Sequence, residues 1–442
     1  MKGRGIEASL LAWRDVAAGG FASEALRKRT ETLPETERTL AASLVFAALR
    51  RAALWKLMAR ELTGRPLGGM SRAAGDALVL GIAGVCELKH FSPKVLVNAL
   101  VEWVKEKGEG REPGMVNAVL RRAARESPGY VARLKSSRSF RDACLYSGIP
   151  GRVGALWAAS WGRELAKEIV RLASMKAYLS LRVSPRCDLS ASISSLEKAG
   201  QTAWASPLIE GSLRMASSGH PPSIPGYREG CVTPQTESSM IVGLVASSVY
   251  SGGPVLDMCV GRGVKAFQFI EKEPGAQLEG WDLSASRIGA AQKEAARLGI
   301  PRDRFILRSG DALEMEPLTP PRLVILDAPC SGSGTWARHP DGKMRFSPDK
   351  LKELASLQSK LLTRALDLSP PGVVVLYSTC SLFREENEQV VAKAMEDRPG
   401  IVEMPPHNTY HCLIRGRPWG NYILPLLPWL DGFFIAVLTK RA

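Results

Sequence analysis

A chain of 442 residues with 45% hydrophobic and 23% charged side chains is neither a disordered segment nor a disulfide-stapled miniprotein, and its length implies about three domains. Its formal charge of +15 calls for a polyanionic partner, because lysine and arginine release counterions when they meet phosphates. No apolar run approaches the ~18 residues that span a membrane.

The positive charge is uneven. Residues 1–150 hold 25 Lys and Arg against 15 Asp and Glu, and the remaining 292 hold 34 against 29. The first third is therefore the expected nucleic-acid grip, although an Arg-rich solvated helical surface would read the same way. This part reads as all helix to about residue 135. Ser92-Pro93 is a start signal, with Ser as cap and Pro at the first helical position. Leu96, Ala99, Leu100 and Trp103 follow as one buried stripe. Residues 115–122 form a second helix, expected to end in the basic cluster Arg121, Arg122 and Arg125, where cations suit the helix dipole. Residues 136–240 are mixed, with a strand at 178–183, a helix at 188–199 closed by Gly200, and a Ser/Pro/Gly-rich loop at 217–230. From 251 onward strands and helices alternate. Strands are expected at 254–258, 277–282, 323–327, 372–377 and 432–439, and helices at 284–298 and from Ser347-Pro348. Near-continuous apolar strands between helices mean a mostly parallel sheet covered on both faces.

Ligands of such sheets lie beyond the C-terminal strand ends. The first of these strands ends in Val255-Leu256-Asp257 and runs into Met258-Cys259-Val260-Gly261-Arg262-Gly263-Val264-Lys265. Two glycines allow a tight turn and close backbone approach, and Asp282 at the next strand end can accept from two ribose hydroxyls. Gly261, Gly263 and Ala266 also fit the dinucleotide pattern G-x-G-x-x-A. The loop alone therefore implies an adenosine-containing cofactor and leaves S-adenosylmethionine (SAM) and NAD both open.

The cysteines decide the chemistry. Eight are present, at 86, 144, 187, 231, 259, 330, 380 and 412. None forms a C-x-x-C pair, so no zinc site is expected. Arg14 and Asp15 interrupt the short apolar stretch at 9–13, so no secretory leader is expected either, and a cytoplasmic protein with reduced thiols follows. Two cysteines fall just past strand ends among small polar residues, in Asp327-Ala328-Pro329-Cys330-Ser331-Gly332 and in Ser378-Thr379-Cys380-Ser381. A lone cysteine is usually a small buried hydrophobe, but two thiols facing one crevice point to nucleophilic catalysis. Carbon 5 of cytosine needs such a thiol, because addition of a thiolate to carbon 6 makes carbon 5 an enamine carbon able to accept a methyl. Asp327 is placed to hold the base while charge develops. Lys265 is either the cation that favours the thiolate or a solvated surface lysine.

At these residues the chain resembles the Sun (RsmB-type) family of ribosomal RNA cytosine-5 methyltransferases. The stretches 93–100 and 115–122 resemble its NusB-like helical domain, and 230–239 resembles the entry to its catalytic domain. Asp327-Ala328-Pro329-Cys330, His339-Pro340-Asp341, Ser378-Thr379-Cys380 with Glu386-Asn387-Glu388, and the final strand 431–436 match its later motifs. The resemblance implies Cys380 as nucleophile, with Cys330 assisting product release. It also implies cofactor contacts from Cys259, Val260, Gly261, Arg262, Gly263, Val264, Lys265, Asp282, Arg287, Asp311 and Asp327. The residues themselves leave either thiol as the attacking one, and they leave Asp311 as a turn or cap aspartate. One departure stands out. The family pattern Cys-Ala-Ala-Pro-Gly-Gly-Lys carries here Arg262 for Pro and Val264 for the second Gly, and a β-branched residue resists positive φ.

The expected architecture is an all-α NusB-like RNA-binding domain (1–135), a small α/β RRM-like connector (136–240) and an α/β class I methyltransferase domain with a doubly wound sheet (241–442). The expected activity is SAM-dependent methylation of RNA, with small-subunit ribosomal RNA implied by the resemblance, by a monomer that binds RNA and no membrane. Two other readings are a degenerate methyltransferase that only binds RNA, supported by the altered loop, and an NAD-dependent oxidoreductase.

Overall fold

The computed structural model describes residues 3–107, 112–216, 221–404 and 411–441. Residues 217–220 of the expected 217–230 loop lie outside these. From Pro221 to Gly230 the chain forms a short 3-10 helix, Pro221–Ser223, followed by turns.

The chain divides into two compact units. The first holds residues 1–175 together with the excursion 336–346. Its described residues form α-helices from Arg4–Ala17 through Arg163–Leu172, around a core that includes Leu44, Leu80, Leu100 and Leu120. The helix Pro93–Lys107 starts at the predicted proline, and Leu96, Leu100 and Trp103 are buried on it as expected. The basic cluster is placed differently from the expectation. Its helix runs Glu112–Ser136, straight through Pro128, so Arg121, Arg122 and Arg125 lie mid-helix. The buried side chains Val119, Leu120, Ala123, Ser127 and Leu134 continue past the cluster, and a continuing buried face outweighs the one backbone hydrogen bond that proline removes. Helices also occupy 140–172.

The excursion completes this unit's packing. Trp336 meets Trp157 with ring centroids 5.6 Å apart. The Arg345 guanidinium lies 4.3 Å from the centre of the Phe21 ring. Lys343 is 7% exposed, and its Nζ donates to the carbonyls of Arg50 and Ser147, each at 2.9 Å. Burial, reinforced by Arg51 and Arg50, holds its pKa well below the ordinary lysine value.

The second unit holds residues 176–335 and 347–442. It begins with a four-stranded antiparallel sheet made of β1 (Leu179–Val183), β2 (Ala203–Ala205), β3 (Ser212–Met215) and β4 (Val232–Pro234), in the order β2-β3-β1-β4. The helix Leu189–Lys198 packs on it, capped by Asp188 through its bond from the Ala191 amide. Here the expectation of uniformly free thiols is corrected, since Cys187 and Cys231 form a disulfide with Cα atoms 5.6 Å apart. Strand register explains it. Val183 pairs with Val232, so a cysteine just after β1 meets one just before β4. The other six cysteines are free.

The large sheet contains β5 (Pro254–Asp257), β6 (Gln277–Asp282), β7 (Phe305–Ser309), β8 (Leu323–Asp327), β9 (Val374–Thr379), β10 (Ile401–Glu403), β11 (Leu413–Arg415), β12 (Asn421–Ile423) and β13 (Phe433–Lys440). Its order is β11-β12-β13-β9-β8-β5-β6-β7, with β10 paired to β13. The five strands from β9 to β7 run parallel, and β13 is antiparallel to β9. Residues of β5, β6, β8 and β9 lie in an apolar core shared with the flanking helices, as buried parallel strands require. The helix Pro348–Asp367 starts where Ser347-Pro348 predicts, with Ser347 accepting from the Lys350 amide. Among the described residues no helix is long and apolar enough to cross a membrane.

Candidate active site

Parallel order brings the C-terminal ends of β9, β8, β5 and β6 to one edge, so Thr379, Asp327, Asp257 and Asp282 head neighbouring loops. The first loop makes its turn with Gly261 at φ 58° and Gly263 at φ 81°. A Cβ on Gly263 would strike the Phe267 ring at 2.1 Å, whereas one on Gly261 would meet only the Cys259 carbonyl, at 3.9 Å. The backbone is thus bare where a ligand must approach. Val264 is the first residue of the helix Val264–Lys272, and no non-glycine among the described residues has positive φ. The replacement of the family's second glycine therefore strains nothing.

Asp282 is 7% exposed. Its carboxylate accepts from the amides of Gly261 at 3.1 Å and Ser284 at 2.8 Å, and Arg287 lies 3.7 Å away. Leu283 beside it is 77% exposed, which offers an apolar surface to a flat ring next to an acid that can take sugar hydroxyls. Asp311 is exposed beyond β7, and one of its oxygens accepts from the Leu313 amide, as the turn reading expects. The helix Val264–Lys272 has no side-chain cap at its N-terminus, so its first amides can serve a ligand. Bare loop backbone, oriented ribose-type acid, exposed apolar neighbour and free helix amides together fit SAM.

Asp257 is 2% exposed at the end of β5. Burial, despite the bond from the Cys259 amide, pushes its carboxyl up to about 7, with Asp327 and Asp282 adding to the rise. Cys259, Val260 and Arg262 complete this loop. Burial and then Asp257 hold the Cys259 thiol well above its ordinary value, Val260 is buried, and Arg262 is exposed.

The second half of the site holds the thiols. Cys330 and Cys380, fifty residues apart, have sulfurs 3.3 Å apart, and both keep partial solvent exposure. The Cys380 sulfur, then burial and Glu386, push the Cys330 thiol well above the ordinary cysteine value. Asp327 accepts from Lys265 Nζ at 2.6 Å and from Ser378 Oγ at 2.9 Å. Lys265 has a side chain only 17% exposed and lies 5.2 Å from the centre of the Phe433 ring, which rules out the solvated surface lysine. Burial pulls its pKa down, but Asp327 more than offsets this and the ammonium stays charged, with Cys380 among its electrostatic neighbours.

Four residues of this half carry no role in the sequence reading, namely Ser331, Gln358, Ser381 and Glu386. Glu386 is wholly buried and accepts from Ser331, Ser381 and Gln358. The available signal is the run of serines around both cysteines, since hydroxyls in a packed loop need partners. His339-Pro340-Asp341 falls in the excursion of the helical unit, where Asp341 pairs with Arg345.

A mostly parallel, doubly wound sheet with a glycine loop, a buried acid at the next strand end and two adjoining thiols at the same edge defines a SAM-dependent methyltransferase. Residues 249–439 match the family described as 16S rRNA methyltransferase RsmB/F, and residues 10–125 match the NusB family. The chain is 30% identical to the ribosomal RNA small subunit methyltransferase B of Xanthomonas campestris pv. campestris, covering 99% of this chain and 98% of that protein. It is 27% identical to the protein of that name from Vibrio cholerae, covering 100% and 98%. The solved structure of PH0851 has the same fold, with a TM-score of 0.80 at 20% identity over 100% of this chain and 99% of that one. The chain therefore belongs to the RsmB/F family of rRNA methyltransferases, with an N-terminal region of the NusB family.

Proposed function

We propose that this protein methylates carbon 5 of a cytosine in 16S ribosomal RNA, with Cys380 as nucleophile and Cys330 assisting release. The observation that carries the reading is the pair of sulfurs 3.3 Å apart beside the Lys265–Asp327 ion pair. The Cys380 thiolate adds to carbon 6 and leaves carbon 5 as an enamine carbon. SAM, when bound through the 259–265 loop, Asp282 and Asp311, supplies the electrophilic methyl. A base then takes the carbon-5 proton, and the bond from Cys380 to carbon 6 breaks as the ring double bond re-forms. Asp327 holds the edge of the base through this charge development, and the Lys265 ammonium paired with it lends positive charge to the thiolate. The target cytosine leaves any base-paired stack to reach the thiols.

The reading assigns RNA-backbone contacts to the helical region, which set position rather than read bases. It keeps the three-part division into helical RNA-binding domain, connector and catalytic domain, and a monomer. It also places the enzyme in the cytoplasm, where Cys187 and Cys231 meet a reducing medium. A binding-only protein rests on strain at Val264, and the helical start at that residue removes the argument. Bisulfite sequencing of cellular 16S rRNA, with and without this protein, should show one cytosine losing its protection when the protein is absent. Identical profiles would overturn the assignment.

A further inference from the structure

The two thiols come from separate loops, and one carboxylate is bonded to both loops. Glu386 Oε1 accepts from the amide of Ser331 at 2.8 Å, and Oε2 accepts from the Ser331 hydroxyl at 2.5 Å. Ser331 directly follows Cys330. Oε2 also accepts from the hydroxyl of Ser381, which directly follows Cys380. Gln358, from the helix Pro348–Asp367, extends the link, since its Nε2 donates to Glu386 Oε1 at 3.0 Å and to the carbonyl of Pro329 at 2.8 Å. Every one of these donors is neutral, and Glu386 is wholly buried. A buried carboxylate without a cation costs free energy, so it adds to the molecule through what it holds in place.

We propose that Glu386 is a positioning residue that fixes the separation of the two reactive sulfurs, and that the release step depends on it more than the attack does. This rests on the reading of Cys380 as nucleophile and Cys330 as release residue. The asymmetry follows from the other supports of each loop. The backbone beside Cys380 has anchors other than Glu386, because the Ser381 amide donates to Thr379 Oγ1 at 3.2 Å and the Ser381 carbonyl accepts from Asn387 Nδ2 at 3.0 Å. Beside Cys330 the Ser331 amide and hydroxyl both donate to Glu386 itself, while Gln358 holds only the Pro329 carbonyl before it. Without the carboxylate, Cys330 drifts while Cys380 stays at the end of β9.

The test uses full-length protein, a 16S rRNA transcript and radiolabelled SAM, and reads both turnover and the RNA–protein adduct that survives denaturing electrophoresis. For Glu386→Ala, turnover should fall about 100-fold, the cost of misplacing a reacting group by about 1 Å. The KM for SAM should be unchanged, because the cofactor loop is untouched, and the covalent adduct should accumulate as is expected of Cys330→Ala. Glu386→Gln should restore most turnover. Its amide oxygen can accept from the Ser331 amide and Gln358, and its NH2 can donate to serine hydroxyls that rotate to accept. If Glu386→Ala does not fold, Ser331→Ala with Ser381→Ala removes the two hydroxyl donors and should give the same adduct. A rise in KM for SAM that matches the loss of turnover, or no adduct while Cys330→Ala still forms one, overturns the positioning role and leaves the nucleophile assignment intact. An adduct that persists when Cys380→Ala is added to either variant overturns the nucleophile assignment instead.

Discussion

Replacing Asp257 by Asn should stabilise the catalytic unit increasingly as pH rises from about 4 to about 7, and then by a constant amount. The side chain is 2% exposed, so solvent does little to screen its charge. Its carboxyl ionises near 7 in the fold against an ordinary 3.8. Below both values the folded and unfolded chains are equally protonated at this site. Between them the unfolded chain has released the proton that the folded chain still holds, so stability falls with rising pH. Above about 7 the full penalty applies, and at about 1.4 kcal/mol per tenfold difference in proton affinity it comes to about 4 kcal/mol. Asn keeps the volume and an acceptor for the Cys259 amide, which lies 3.1 Å from the Asp257 carboxylate, and it does not titrate. The assay is amide hydrogen exchange of β5 and β8 by mass spectrometry, which reads this unit alone. Both variants are compared at the same pH, so that intrinsic exchange rates cancel. The free-energy difference in favour of Asn should grow by about 4 kcal/mol between about pH 4 and about pH 8. A difference that stays flat with pH would refute the argument that burial keeps Asp257 protonated.

Cys380→Ala should abolish turnover while calorimetry still records SAM binding, whereas Cys330→Ala should trap a covalent RNA adduct; a Cys330→Ala protein that forms no adduct would make Cys330 the attacking thiol. Leu283→Ala should weaken SAM binding by about 1–2 kcal/mol, roughly 5–30-fold, through lost apolar contact, without lowering the thermal midpoint; unchanged calorimetric affinity would remove Leu283 from the cofactor surface. Lys343→Met tests the buried amine in the helical unit. With its folded pKa lowered, wild type binds fewer protons there than the unfolded chain does, so its stability should rise relative to the Met variant as pH climbs toward the ordinary lysine value near 10.5. Denaturation curves that keep a constant spacing across that range would contradict the buried, deprotonation-prone state.

Local pattern made much of this fold legible. Strands 277–282 and 323–327 appear at the expected residues because apolar runs were bounded by Gly, Pro or polar turns. The helix from Pro348 follows from one Ser-Pro pair. The cysteine loops and Asp327 could be placed because parallel strands put their C-terminal ends at one edge, and that edge needs only strand order to be known. What escaped depended on distant register. The Cys187–Cys231 bond requires knowing that Val183 faces Val232, which no local spacing reveals. The helix through Arg121–Arg125 runs past its expected end because its buried face, on to Leu134, is weaker in the sequence than the charge signal that interrupts it. Glu386 stood inside a noted motif, yet its partners come from positions 331, 358 and 381, and only the folded loops bring them within reach of one carboxylate.

The excursion 336–346 also bears on how the chain is made. The helical unit's own sequence emerges early, but Trp336, Lys343 and Arg345, which complete its packing, leave the ribosome only after another ~170 residues. At ribosomal elongation rates of ~5–20 residues per second that is a wait of roughly 10–35 s. During it, the early helices can collapse but cannot finish their core, and the carbonyls of Arg50 and Ser147 stay without the Lys343 amine that later donates to them. Nascent chains released short of residue 346 should therefore be far more open to protease than the mature protein, even though the helices through Arg163–Leu172 have been translated.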